Sequence, residues 1–299
     1  MDEKASDETQ AISFDDSGLK ASLNFLHYKT AYNLKKLVDK PGNKLAYAHH
    51  LWASPHAQTI GNFWSQQLHD ISWSPKLERV VNEEVAYLLG QKESKWLNEI
   101  LRYLPRKHLF KTTIYLNLGY DNIVFGENVA LNMTFHQFRE DTRETIYYLI
   151  HELAHAGYVK YHPLPELWNN KTNRQLLKVI KYLTHLEGMG VQSAWRIRIS
   201  EGGLLDNDYK VLLNETERTT RINQYFKLFN KLEKNLDKKV NESATQIYEN
   251  MSRKERRLWY IAGCHMAQEI EKQKGTETLR KLVQQGSEEF FNTYEEISG

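Results

Sequence analysis

Residues 148–158 read Tyr-Leu-Ile-His-Glu-Leu-Ala-His-Ala-Gly-Tyr, and no other stretch restricts the fold of this chain as sharply. Side chains four apart on an α-helix lie one turn above each other, so His151 and His155 can aim two imidazoles at one point in space. Glu152 follows about 100° further around the axis and flanks the same face. The spacing His-Glu-x-x-His thus offers two neutral nitrogen ligands for zinc, a carboxylate base beside them, and room for a third ligand and a water. All of this requires a helix. Ile146, Leu149, Ile150 and Leu153 supply an apolar stripe at helical spacing. Asp141-Thr142-Arg143-Glu144 has the spacing of a capping box that would start the helix, and no proline intervenes before Pro163.

A chain of 299 residues is long enough for two lobes around a cleft. With 40% hydrophobic and 26% charged residues it is globular rather than disordered. A net charge of +2 gives no reason to expect nucleic acid or an anionic membrane surface as partner. Cys264 is the only cysteine, so no intramolecular disulfide forms. The acidic start Met1-Asp2-Glu3-Lys4 lacks the apolar core of a signal peptide, and no apolar run approaches the roughly 18 residues of a membrane span. A cytoplasmic protein is expected. The oligomeric state is not readable.

Residues 1–16 are polar and acidic and are expected to be disordered. Residues 17–108 read as an N-terminal helical region, with leucines at helical spacing from Leu19 to Leu37 and a long helix over 78–104. Between them lies an aromatic-rich stretch (Trp52, Phe63, Trp64, Trp73) broken by Pro55, Gly61 and Pro75. His49, His50, His56 and His69 in this region read as surface or hydrogen-bonded histidines, not ligands. At Lys111 the period changes from 3.6 to 2. Thr112–Leu118, Ile123–Phe125 and Val129–Met133 alternate as strands around turns, giving a small mixed or antiparallel sheet just before the central helix. If the last of these strands is an exposed edge, Ala130 and Asn132 could pair with an extended substrate backbone. After Pro163 and Pro165 the chain is helical almost to its end. A helix over 173–183, another starting at Thr184, and long helices over 208–236 and 242–272 are expected.

A catalytic zinc usually takes three protein ligands. Downstream candidates are His162, Glu166, His185 and Glu187. Glu187 stands first, because the chain between it and His155 suffices for a loop and a returning helix, and because Gly188 and Gly190 mark a backbone that another element approaches closely. The competing reading is a cap. Thr184-His185-Leu186-Glu187 has capping-box spacing, so the same carboxylate could turn back to the backbone of Thr184. His185 is the remaining alternative.

The motif His-Glu-Leu-Ala-His, followed after a helical hairpin by Glu-Gly-Met-Gly-Val, resembles the gluzincin class of zinc metallopeptidases. It is closest to uncharacterised families of zinc-dependent proteases in which a Glu-Gly-rich helix follows the first motif. Tyr260-Ile261-Ala262-Gly263-Cys264-His265-Met266-Ala267 also resembles their C-terminal part, and the likeness spans roughly residues 110–295. It implies an α+β, predominantly helical fold, with a zincin-like core over 109–203 and a helical C-terminal lobe over 204–299. It implies Zn2+ on His151, His155 and Glu187, with Glu152 as the base. An oxyanion donor would come from the C-terminal lobe, Tyr260 or His265, with Arg196 or Arg198 as alternatives. Gly126-Glu127-Asn128 resembles the amine-binding segment of gluzincin aminopeptidases, though without its intervening residues, which would place Glu127 against substrate. The expected activity is hydrolysis of peptide or protein substrates. The alternatives are a zinc-dependent small-amide hydrolase and a helical binding protein that keeps the metal without turnover.

Overall fold

The computed structural model describes residues 10–54, 56, 58–253 and 255–298. Of the stretch expected to be disordered, residues 1–9 lie outside this set, as does the Pro55 break. Residues 11–15 instead form a strand, β1 (Ala11–Asp15), parallel to β2 (Lys111–Asn117) with Phe14 opposite Ile114. A five-residue segment with only two large apolar side chains, Ile12 and Phe14, carries little strand signal of its own. Its partner is remote in sequence and supplies the ladder.

Between β1 and β2 run α1 (Ser17–Tyr28), α2 (Ala31–Val38), α3 (Pro41–Ala53), α4 (Ile60–Gln67), α5 (Pro75–Gly90) and α6 (Glu93–Leu101). The single helix expected over 78–104 is thus two, parted at Gln91–Lys92 after Gly90. Beyond β2 come β3 (Ile123–Phe125) and β4 (Asn128–Asn132), closing a mixed sheet of order β1-β2-β4-β3 in which only β3 is antiparallel. Val129, Ala130 and Leu131 are all buried, so β4 is covered on both faces. It is also hydrogen-bonded along both edges, to β2 and β3. The expectation of β4 as an exposed edge fails for that reason, and the free edge beside it belongs to β3.

After the short α7 (His136–Glu140), α8 (Glu144–Val159) carries the central motif and packs on α6, β3 and β4. Its start is not the expected capping box. Asp141 turns its carboxylate to the backbone and guanidinium of Arg143, while Glu144 is fully buried and pairs with Arg198 at 2.7 Å. Nor does the helix show only one apolar side: almost every residue from Glu144 to Val159 is buried, as befits an element at the centre of a domain.

α9 (Asn173–Glu201) runs unbroken for 29 residues. Its capping box lies at Thr172 and Gln175, and Thr184, where a new helix was expected, sits mid-helix with its hydroxyl bonded to the carbonyl of Ile180 and to Tyr225. Then follow α10 (Asn207–Leu213), α11 (Glu215–Glu233), α12 (Glu242–Ser252), α13 (Leu258–Lys274), α14 (Thr276–Gln285) and α15 (Ser287–Ser298). The expected long helices over 208–236 and 242–272 are each broken once, at Asn214 and between Ser252 and Leu258. α9 and α13 cross in very close contact. A Cβ on Gly188 would lie 2.5 Å from Gly263 Cα, and one on Gly263 would lie 2.1 Å from the Thr184 carbonyl oxygen. The fold is α+β and predominantly helical, with one continuous apolar core reaching from Leu19 to Phe291. No helix among the described residues is long and apolar enough to cross a membrane.

Candidate metal centre

α8 and α9 lie side by side and bring three side chains together. His151 Nε2 is 3.2 Å and His155 Nε2 3.3 Å from the same oxygen, Glu187 Oε2. Two donors on one tetrahedral zinc, each about 2.1 Å from the ion, stand roughly 3.4 Å apart; both observed separations are close to that. Among the described residues this is the one group of three or more His, Cys, Asp or Glu side chains close enough to share a metal. The cap reading of Glu187 is excluded by the helix itself. In the interior of α9 there is no free N-terminal N–H for the carboxylate to reach.

Two further observations test whether the cluster fits a cation. His155 Nε2 is buried and has no aligned hydrogen-bond partner despite its nearness to Glu187, a polar atom that a shared cation would satisfy. Gly190, one turn beyond Glu187, leaves room for the rings: a Cβ there would stand 2.6 Å from His155 Nε2 and 2.8 Å from His151 Cε1. The donor set, two imidazoles and a carboxylate, suits zinc. Burial alone would strip the proton from His155, but Glu187 and Glu152 outweigh it and raise the ring's pKa to about 10. Burial would likewise raise Glu187, and the two imidazoles instead hold it below the usual carboxylate range.

Glu152 is buried beside this cluster, with Oε2 3.4 Å from His155 Nδ1. All four side chains open onto a cavity of about 600 Å³. Tyr260 of α13 joins them there. Its ring lies nearly parallel to that of His151, with centroids 6.4 Å apart, and the guanidinium of Arg257 covers it at 3.6 Å. Burial and the nearby Glu187 push the Tyr260 pKa well up, with no hydrogen bond to another described residue among the causes, so the phenol keeps its proton.

The other sequence candidates lie elsewhere. His265 points to the far side of α13, against Tyr294, and lines no part of the cavity. Arg196 is on the outer face of α9, paired with Glu99; Arg198 reaches the cavity wall but is fixed by Glu144. Glu127 sits in the β3–β4 turn, where Gly126 (φ 58) directs it toward Lys160 and a separate hollow. Ala130 is 1% exposed inside the sheet, and the Asn132 side-chain oxygen is taken by the Gly119 and Thr134 amides. The expected roles of Glu127, Ala130 and Asn132 against substrate therefore fail on position. Ile123 and Val124 of edge strand β3 line the cavity in their place. Of the alternative ligands, His162 bonds the Val283 carbonyl, Glu166 holds Asn169, and His185 is buried against Tyr158 and Phe290.

Sequence reasoning passed over two cavity residues. His49, at the end of α3, shares a 3.0 Å hydrogen bond between its Nδ1 and the Tyr120 hydroxyl; burial lowers its pKa to about 4, against the opposing pull of Glu152 and Glu187. Arg257 lies just before α13. Neither is part of a spacing pattern that would have singled it out.

Fold and site together define an α+β protein with a His-His-Glu cluster and a second buried carboxylate lining one cavity. Residues 73–298 match the model of the DUF5700 family, described as "Putative zinc dependent peptidase", and the chain belongs to that family. Its cofactor is accordingly Zn2+. Neither the curated proteins nor the solved structures searched gave a match.

Proposed function

We propose that the chain is a gluzincin-type metallopeptidase with a zincin-like core over residues 109–203, in which His151, His155 and Glu187 hold the zinc and Glu152 is the general base. The convergence of both imidazoles on one Glu187 oxygen carries this reading. Zinc, when bound, lowers the pKa of a water toward neutrality and polarises a carbonyl. Glu152 accepts the proton of the attacking water and passes it to the leaving amine. The Tyr260 hydroxyl, protonated and without a hydrogen-bond partner among the described residues, donates a hydrogen bond to the oxygen that gains negative charge. Neutral His49, held in orientation by Tyr120, offers a second polar group to the cavity. The buried surroundings exclude bulk water and strengthen each of these interactions.

The test pairs metal analysis of the purified chain with digestion of a peptide library. One zinc per chain and cleaved peptides are expected. Glu152→Gln is expected to keep the zinc while turnover falls about 10²- to 10⁴-fold. A variant that retains full turnover would refute the assigned base. A cavity of about 600 Å³ is also within the range of small-molecule sites, which favours a hydrolase of small amides as second reading. Hydrolysis of acylated amino acids with no cleavage of longer peptides would select it. Zinc without any turnover would select a binding protein.

A further inference from the structure

We propose that Arg257 is the receptor for a substrate carboxylate, so that the enzyme acts on peptides with a free C-terminus or an acidic side chain close to the scissile bond. This rests on the peptidase reading above.

The backbone first draws attention to the residue. Among the described residues, only Lys29 and Arg257 outside glycine have positive φ. Lys29 ends α1 in the left-handed conformation common at helix C-termini. Arg257 (φ 47, ψ 45) precedes the first turn of α13, where an extended residue is usual. Non-glycine residues hold such a conformation where the surroundings impose it, often at functional sites.

The side chain is anchored on one edge and free on the other. Its Nε lies 2.7 Å and 2.6 Å from the two carboxylate oxygens of buried Asp208, and its plane covers the Tyr260 ring. Neither terminal amine makes a hydrogen bond among the described residues, and neither is among the buried unpaired atoms. The side chain is 28% exposed and faces the cavity. Asp206 is near enough for its charge to act on Arg257, but it makes no hydrogen bond to the guanidinium: its Oδ2 accepts from Tyr148 and its Oδ1 from the Asp208 amide. Two parallel N–H groups on a fixed guanidinium match a carboxylate in bidentate fashion.

The position also sets a distance. The guanidinium lies 3.6 Å from the centre of the Tyr260 ring and that ring 6.4 Å from the His151 ring, which bounds the span from guanidinium to His151 at about three residues of extended chain. An extended chain advances about 3.5 Å per residue, so a carboxylate on Arg257 belongs to one of the first three or so residues beyond the cleaved bond.

The test uses the full zinc-loaded chain and matched peptides: one sequence as free acid and as C-terminal amide, each with Glu or Gln among its last three residues. Peptides with a carboxylate are expected to be cleaved roughly tenfold to a hundredfold more efficiently than the amide lacking Glu. A preference that follows the terminus identifies the main-chain carboxylate, and one that follows Glu identifies the side chain. Arg257→Gln is expected to erase the preference mainly through KM, with zinc content unchanged and Arg257→Lys intermediate. Should either variant fail to fold, the comparison with the unmodified chain decides alone. Calorimetry with the Glu152→Gln chain reads the same preference as binding, without turnover. Equal cleavage and equal binding of all four peptides would overturn the assignment while leaving the peptidase reading intact. Failure of the zinc-loaded chain to cleave any peptide would sink both.

Discussion

At Gly190 a hydrogen atom occupies the place where any other residue would carry a carbon against two imidazoles. Gly190→Ala is expected to leave helix content unchanged but weaken zinc binding roughly 10- to 100-fold, the loss typical when support of a ligand is disturbed. Competition with a chromophoric chelator measures this directly. Unchanged affinity would show that the rings yield. Glu187→Gln removes the charged donor and is expected to lose more affinity than Gly190→Ala; equal metal content would remove Glu187 from the ligand set. Much at this scale was legible. The His-Glu-x-x-His spacing put His151 and His155 one turn apart on a helix, where their rings do converge, and the two glycines beside Glu187 signalled a close approach. Tyr260 was one of two candidates on α13, and only the rotation of that helix separates it from His265. The conformation of Arg257 has no local sequence signature at all.

The element that decides the site is α9, and its length was the least legible feature near it. Thr-x-x-Glu is a start signal only where the backbone before it is not helical. At Thr184 the hydroxyl bonds back to the preceding turn, so the same four residues are helix interior. Two glycines strengthened the false break, yet they serve the crossing with α13 and the seating of the rings. A chain reader weighing propensity sees a weak helix; tertiary packing overrides it. The crossing sets the distance between Glu187 on α9 and Tyr260 on α13. Gly263→Ala forces a methyl onto the Thr184 carbonyl, and is expected to cost about 1–3 kcal/mol. The midpoint of thermal unfolding should fall by roughly 2–4 °C for each of these. Retention of full stability would show the helices free to separate.

For the whole molecule, the family match begins at residue 73, yet β1 and α1–α4 lie before it. They complete the sheet, and α3 delivers His49 and Trp52 to the cavity. Removing residues 1–72 would uncover the free edge of β2 and the apolar face beneath α1 and α3. The shortened chain is expected to aggregate, which size-exclusion chromatography would show; a monodisperse, zinc-binding product would make the N-terminal helices an accessory. Metal content should matter at this scale too. Zinc at about a thousand times its dissociation constant adds about 4 kcal/mol, so chelation is expected to lower the unfolding midpoint by on the order of 10 °C. The effect has a direction in pH. In the metal-free chain the raised His155 stabilises the fold fully below its ordinary 6.5, and that support fades as pH rises through about 10. The lowered Glu187 contributes above its ordinary 4.5 and loses its contribution only on acidification. Zinc must displace the His155 proton and so binds better at high pH. The gap between loaded and chelated midpoints should therefore widen from pH 6.5 upward; a constant gap would contradict the ligand assignment.

The pairing of Ala11 with Lys111 also bears on how the chain is made. Synthesis runs from the N-terminus, so the first strand emerges long before its neighbour exists and must wait, unpaired, while six helices follow it. Contacts so remote in sequence slow folding. The wall that carries His49 settles against the metal-binding helix only once both halves have been translated, which makes assembly of the cavity a late event in the life of each new molecule.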